Sequence, residues 1–172
     1  VTERIKKRNE SKYLERIEKG DVIVVKGVYD QVEEVLENLK IPFTLIPREK
    51  LAQLKLKASM VVIFNCHDKA LDKNAAQNLR NFVSAGGYVF TSDWELRNIL
   101  QHAFPKTLMA KQQIPEDNVL ITPELNAATH PYLRDVFPKN PFKRAKFKWK
   151  IDAASDLVNF AKKSGVKSLI VS

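Results

Sequence analysis

Apolar and polar positions change period in blocks along this chain, and each block reads as one kind of element. Residues 3–19 carry Ile5, Tyr13, Leu14 and Ile17 as a sparse apolar stripe among charges, which reads as a charged helix. Asp21-Val22-Ile23-Val24-Val25-Lys26 is a short β-branched run, the pattern of a buried strand. After Gly27, Val32, Val35, Leu36 and Leu39 recur at spacings of three and four and predict a helix. Ile41-Pro42-Phe43-Thr44-Leu45-Ile46 reads as a second strand and residues 48–55 as a short helix. Met60-Val61-Val62-Ile63-Phe64-Asn65 is a third strand, apolar on both faces. Asp72 stands where an aspartate caps a helix, here one carrying Ala75, Ala76, Leu79, Phe82 and Val83. Gly86-Gly87 closes it, because glycine accepts the left-handed conformation of a C-cap. Tyr88-Val89-Phe90-Thr91 is a fourth strand, and residues 94–103 a fourth helix.

Strands apolar on both faces, alternating with helices, predict a parallel sheet with helices on both sides. Right-handed crossovers then favour the order 2-1-3-4, so the expected class is an α/β flavodoxin-like three-layer sandwich with a mostly parallel sheet. Beyond residue 104 the pattern weakens. Pro105, Pro115, Pro123, Pro131, Pro138 and Pro141 exclude long elements up to about residue 146. Val119-Leu120-Ile121-Thr122 reads as a short strand. From Lys146 to Ile151, Phe147, Trp149 and Ile151 share one face and Lys146, Lys148 and Lys150 the other, a half-exposed strand. Residues 156–164 read as a helix capped by Gly165, and Val166–Val171 as a last strand. The expected division is a helical lead-in over 1–20 and one α/β domain over 21–172. With no opening Met and an end inside a strand, the chain reads as part of a longer protein lacking a final segment.

Composition narrows the class. The 172 residues are 44% apolar and 28% charged, ordinary globular usage and far from the disordered class. A single cysteine excludes an internal disulfide. No apolar run approaches the roughly 20 residues of a membrane span, and the charged start is unlike a signal peptide, so a cytoplasmic location is expected. The net charge of +9 is concentrated: residues 1–20 contribute +3, and residues 139–150 contribute +6 through Lys139, Lys143, Arg144, Lys146, Lys148 and Lys150. Such a block can bind phosphate in nucleic acid or at an anionic surface. It equally fits a solvated strand edge, where lysines block edge-to-edge pairing.

In a doubly wound sheet, ligands bind at the carboxyl ends of the strands. Three of those ends are polar here: Gly27-Val28-Tyr29-Asp30, Asn65-Cys66-His67-Asp68 and Thr91-Ser92-Asp93-Trp94. Asp30, Asp68 and Asp93 are oxygen donors suited to Mg²⁺, whereas the simpler reading has Asp30 and Asp93 capping the helices they precede. Cys66 beside His67 has the residue types of a thiolate–imidazole pair, but neighbours on an extended segment point apart, and a lone Cys is commonly a small buried apolar group. Ser92 stands on a strand-to-helix turn without the glycines of a nucleophile elbow. His130 lies in the loop Ala128-Thr129-His130-Pro131 and is a candidate to approach the cleft. His102 lies at a helix end, where the dipole favours it without a further role. Walker A, dinucleotide-fingerprint, H-E-x-x-H and paired C-x-x-C sequences are absent.

These residues resemble a family. A strand ending in Gly27, the run VVIFNC, the helix end FVSAGGYVF and the strand-turn-helix TSDWELRNIL are, in this order, similar to the class I glutamine amidotransferase-like fold. The trehalose-utilisation (ThuA-like) branch is nearest, and Ala128–Leu133 is similar to its His-Pro loop. The resemblance covers roughly residues 21–172. It implies a flavodoxin-like sandwich with its cleft at the strand ends and a nucleophile-bearing elbow after the fourth strand. The sequence departs from that pattern at the elbow, which reads Thr91-Ser92-Asp93-Trp94, and no later H-x-E follows. Cys66 lies one strand early, where the family builds oxyanion and substrate contacts. The usual Cys-His-Glu glutaminase triad is therefore not expected.

Three functions compete at this stage. The first is a catalytically degenerate module, a pseudoenzyme, binding a small ligand or protein partner at the strand ends. The second is a hydrolase or carbohydrate-modifying enzyme using Cys66, Ser92, Asp93 or His130. The third is nucleic-acid or anionic-surface binding through Lys143, Arg144, Lys146, Lys148 and Lys150, with Phe142, Phe147 and Trp149 interleaved. No cofactor is expected; Mg²⁺ on Asp30, Asp68 and Asp93 is the one alternative.

Overall fold

A computed structural model of the chain describes residues 2–105, 107–137, 148–152, 154–161 and 163–171. The chain divides into two compact units, residues 1–105 and 106–172, each described by itself.

The first unit holds one four-stranded sheet of the expected order. Strands β1 (Val22–Val25), β2 (Thr44–Ile46), β3 (Val61–Phe64) and β4 (Tyr88–Thr91) lie in the order β2-β1-β3-β4, and every pair is parallel. Alternation along the strands splits their side chains between two cores. Ile23, Val25, Ile46, Val62 and Phe64 face helix α4 (Lys73–Ser84), which contributes Ala75, Ala76, Leu79 and Phe82. Val22 and Val24 face helix α3 (Val32–Asn38) through Leu36. Helix α4 starts as its sequence predicts: Asp72 Oδ1 accepts from the N–H groups of Asn74 and Ala75 at 2.8 and 2.9 Å. It ends at Gly86, whose φ of +102° lies in the left-handed region. A six-residue 3₁₀ segment, Arg48–Gln53, follows β2, and a π turn, Leu96–Leu100, runs into the short helix α5 (Gln101–Ala103).

The expected lead-in helix over 3–19 is interrupted. It forms as α1 (Thr2–Lys7) and α2 (Ser11–Leu14), because Asn9 takes a φ of +55° between them.

The second unit is built from antiparallel pairs: β5 (Leu108–Ile114) with β9 (Ser155–Phe160), β6 (Asp117–Leu120) with β8 (Lys148–Ile151), and β7 (Thr122–Pro123) with β10 (Ile170–Val171). A small core gathers Ile121, Ala127, Leu133 and Phe137. Here the pattern misleads in three places. Residues 155–160 form a strand, not the start of a helix, because a short apolar run fits either element and pairing with β5 decides. Trp149, on the apolar face of β8, stays 54% exposed where it lines a cavity with Val119, Ile121 and Ile151. Of the expected strand over 166–171, only Ile170 and Val171 pair. Phe147 and the basic residues Lys139, Lys143, Arg144 and Lys146 lie outside the described residues.

Candidate site at the strand ends

Because β1, β3 and β4 are neighbours, their carboxyl ends stand side by side, and a compact polar network joins them. It begins at Gly27, the first turn after β1. A Cβ on this residue would lie 2.6 Å from both the carbonyl carbon and the Cβ of Asn65, closer than real side chains pack. Glycine therefore lets the exit from β1 pass directly against Asn65 and Cys66. The N–H groups of Val28 and Tyr29 then both donate to the Cys66 carbonyl, at 2.9 and 3.2 Å.

Asp30 completes the junction. One carboxylate oxygen accepts from the Cys66 backbone N–H, and the other accepts from the Ser92 hydroxyl at 2.6 Å. The single carboxylate thus ties the exit of β1 to those of β3 and β4. This corrects the reading of Asp30 as a helix cap. The start of α3 is served instead by Asn65, a buried residue whose Oδ1 accepts from Val32 N–H at 3.0 Å while its Nδ2 donates to Glu33 Oε2 at 2.5 Å.

After β4 the chain makes a sharp elbow. Asp93 has a φ of +46°, a conformation that aspartate tolerates better than most residues. The turn that follows begins at Glu95, whose own side chain does not cap it. Asp93 Oδ2 lies 3.8 Å from Cys66 Sγ. The two bulky residues after the elbow separate. Trp94 packs edge-to-face on Tyr29, with ring centroids 5.2 Å apart. Glu95 turns inward, fully buried, and forms a two-point pair with Arg48 from the segment after β2, both N–O distances being 3.1 Å. Asn98 fastens the same turn to the loop after β3: its Nδ2 donates to the His67 carbonyl at 2.6 Å, and its own carbonyl accepts from Leu71 N–H.

The electrostatics keep the Cys66 thiol protonated. Burial pushes the Cys66 thiol up to about 11, and the carboxylates of Asp93, Asp30 and Glu95 add to the rise, against the pull of the Trp94 backbone N–H. A thiol this far above neutrality carries almost no thiolate, the reactive form. Burial likewise raises the Glu95 carboxyl, with the Arg48 guanidinium and the His67 backbone N–H pulling the other way and the Asp30 charge adding to the rise. His67 Nδ1 accepts from Lys69 N–H at 3.0 Å and stands 2.8 Å from Asp68 Oδ1. Among the described residues, no group of three His, Cys, Asp or Glu side chains is placed to hold a metal ion.

Of the residues singled out from sequence, the structure brings together Asp30, Cys66, Ser92 and Asp93. Asp68 turns to His67. His130 belongs to the second unit, where its Nδ1 accepts from Tyr132 N–H at 3.3 Å. Lys150 pairs with Glu116 and Asp152 at 3.0 and 3.6 Å, and Lys148 is exposed. Asn65, Arg48, Glu95 and Asn98 complete the network without a sequence motif; the one local signal was a polar Asn65 closing an apolar strand. Among the described residues, no helix is long and apolar enough to cross a membrane. Comparison with protein-family models, curated proteins and solved structures finds no match.

Proposed function

We propose that this chain is a catalytically silent, amidotransferase-like module that binds a small ligand or a protein partner over the carboxyl ends of β1, β3 and β4. The observation that carries this reading is the Asp30 junction. The carboxylate that would serve as a base is already bonded to the Cys66 N–H and the Ser92 hydroxyl, and the one thiol is held neutral. Recognition chemistry stands at the same strand ends: the exposed ring of Tyr29 against Trp94, and the exposed residue Asp93 on its elbow. The test is hydrolysis of glutamine and of an activated ester by the wild-type chain, Cys66→Ala and Ser92→Ala. All three are expected to give the uncatalysed background rate. Turnover abolished by either substitution overturns the proposal.

A second reading has one observation in its favour. Trp149 is 54% exposed between the lysines of β8, so its ring is open for stacking on a nucleic-acid base. Binding of a fluorescent single-stranded oligonucleotide should then weaken steeply with salt and with Trp149→Ala. Binding unchanged from low to high salt, or absent at low salt, rules this mode out.

A further inference from the structure

The surface of the first unit carries a second polar site, between α4 and α5. Lys73, Gln77 and Arg80 stand at i, i+4 and i+7 on α4, so their side chains form one stripe along the helix. They line a cavity of about 220 Å³ with His102 of α5, over an apolar floor of Leu71 and Ala76. Three of the lining side chains are cationic or can become so, and none is acidic. Asp72, the adjacent acid, directs one carboxylate oxygen at the first N–H groups of α4.

Arg80 is fixed before any ligand arrives. Its Nε donates to the Ala103 carbonyl at 2.7 Å, Nη2 to the His102 carbonyl at 3.3 Å, and Nη1 to Gln77 Oε1 at 2.9 Å. A guanidinium has five N–H donors, so one on each Nη remains for a further acceptor. All three described acceptors are neutral oxygens. The guanidinium charge, like those of Lys73 and a protonated His102, is not matched by an ion pair among the described residues. Two of these bonds tie Arg80 to the last carbonyls of α5, so the guanidinium is held in place at the rim of the cavity.

We infer that the Lys73–Arg80–His102 cavity is a binding site for a small phosphate-type oxyanion. A planar guanidinium with two spare donors matches two oxygens of a phosphoryl group, and an ammonium adds a point charge. The cavity has room for a phosphoryl group with a few further atoms, so the shared chemistry fits free phosphate and a small phosphomonoester.

The test is a titration of the full chain with inorganic phosphate and with glycerol phosphate, against chloride at matched ionic strength. It follows the NMR signals of the Arg80 Nε–H and the His102 ring. Saturable shifts are expected with the phosphoryl compounds and not with chloride. Arg80→Gln should weaken binding about tenfold or more, as expected for loss of a charge-assisted bond. Because Arg80 also joins α4 to α5, Lys73→Gln and His102→Gln serve as the second pair of variants. Each should weaken binding about threefold with no change in fold. Tighter binding of glycerol phosphate assigns a phosphomonoester as the source, and equal or weaker binding assigns the free ion. A response that does not saturate, that chloride reproduces, or that survives both Lys73→Gln and His102→Gln overturns the assignment.

Discussion

Arg48 and Glu95 come from opposite sides of the sheet order and meet as a buried two-point ion pair, each guanidinium–carboxylate distance being 3.1 Å. Arg48 follows the edge strand β2, and Glu95 follows the opposite edge strand β4. Their meeting fixes the elbow that carries Asp93, because Glu95 must turn inward for the pair to form. Trp94, one residue earlier, is thereby left to pack on Tyr29. A turn without the small residues that usually tighten such elbows is held by an ion pair beneath it.

Breaking this pair on one side should be costly. Glu95→Ala strands a buried guanidinium, and the expected loss of stability is about 3–5 kcal/mol. Replacing both partners by apolar groups, Arg48→Met with Glu95→Leu, removes the stranded charge and should recover most of that loss. Urea denaturation of the two variants beside the wild type checks both. A single-variant loss below about 1 kcal/mol would show the pair to be solvated.

The parallel sheet was legible because its strands are continuous β-branched runs and its helices carry clear apolar stripes, and these local signals agree with the tertiary structure. Asp72 and Gly86 worked for the same reason: each acts within its own turn. The strand-end network was legible only as a location. Asp30 looked like a cap because its sequence neighbours are all that a sequence displays, whereas its partners, Cys66 and Ser92, are 36 and 62 residues away. Arg48 and Glu95 escaped notice because an ion pair across the fold leaves no periodic trace. In the second unit, β5 reads Leu-Met-Ala-Lys-Gln-Gln-Ile, largely helix-favouring residues, and becomes a strand through pairing with β9.

The Asp30 junction predicts a local effect as well as a global one. Asp30→Ala leaves the Cys66 N–H without its carboxylate acceptor and frees the Ser92 hydroxyl. The expected cost is about 1–3 kcal/mol, with a marked loss of hydrogen-exchange protection at the Cys66 amide. Ser92→Ala keeps the bond to the amide and should cost about 1 kcal/mol, leaving that protection in place. Equal protection in the two variants would contradict the role assigned to Asp30.

Two glycines should respond differently to the same added methyl. At Gly27 the new Cβ meets the backbone of Asn65, so strands β1 and β3 must part; Gly27→Ala is expected to cost about 1–3 kcal/mol or more through overpacking. At Gly86 nothing lies within 4 Å, and only the positive φ opposes alanine. Gly86→Ala should therefore cost about 1–2 kcal/mol. Thermal denaturation measures both costs, and what separates the two is that Gly27→Ala alone should disturb the Cys66 amide signal.

The buried thiol of Cys66 makes stability depend on alkaline pH with a definite sign. Its pKa rises from an ordinary 9.0 in the unfolded chain to about 11 in the folded one. Between those values the folded state keeps a proton that the unfolded state releases. The stabilising preference for the neutral thiol is therefore complete below pH 9 and is lost as pH climbs through 11. Over that window the thiol should account for a decline of about 2–3 kcal/mol. Lysines and tyrosines titrate in the same range, so the decisive quantity is the difference in slope between wild type and Cys66→Ala in urea denaturation. The variant should decline less steeply. Alkylation by iodoacetamide gives an independent reading: at pH 8 the native thiol should react far more slowly than the urea-unfolded one, because burial withholds both access and the thiolate. Parallel slopes together with rapid native alkylation would mean that the thiol is exposed and ionisable, and would return Cys66 to the set of working nucleophiles.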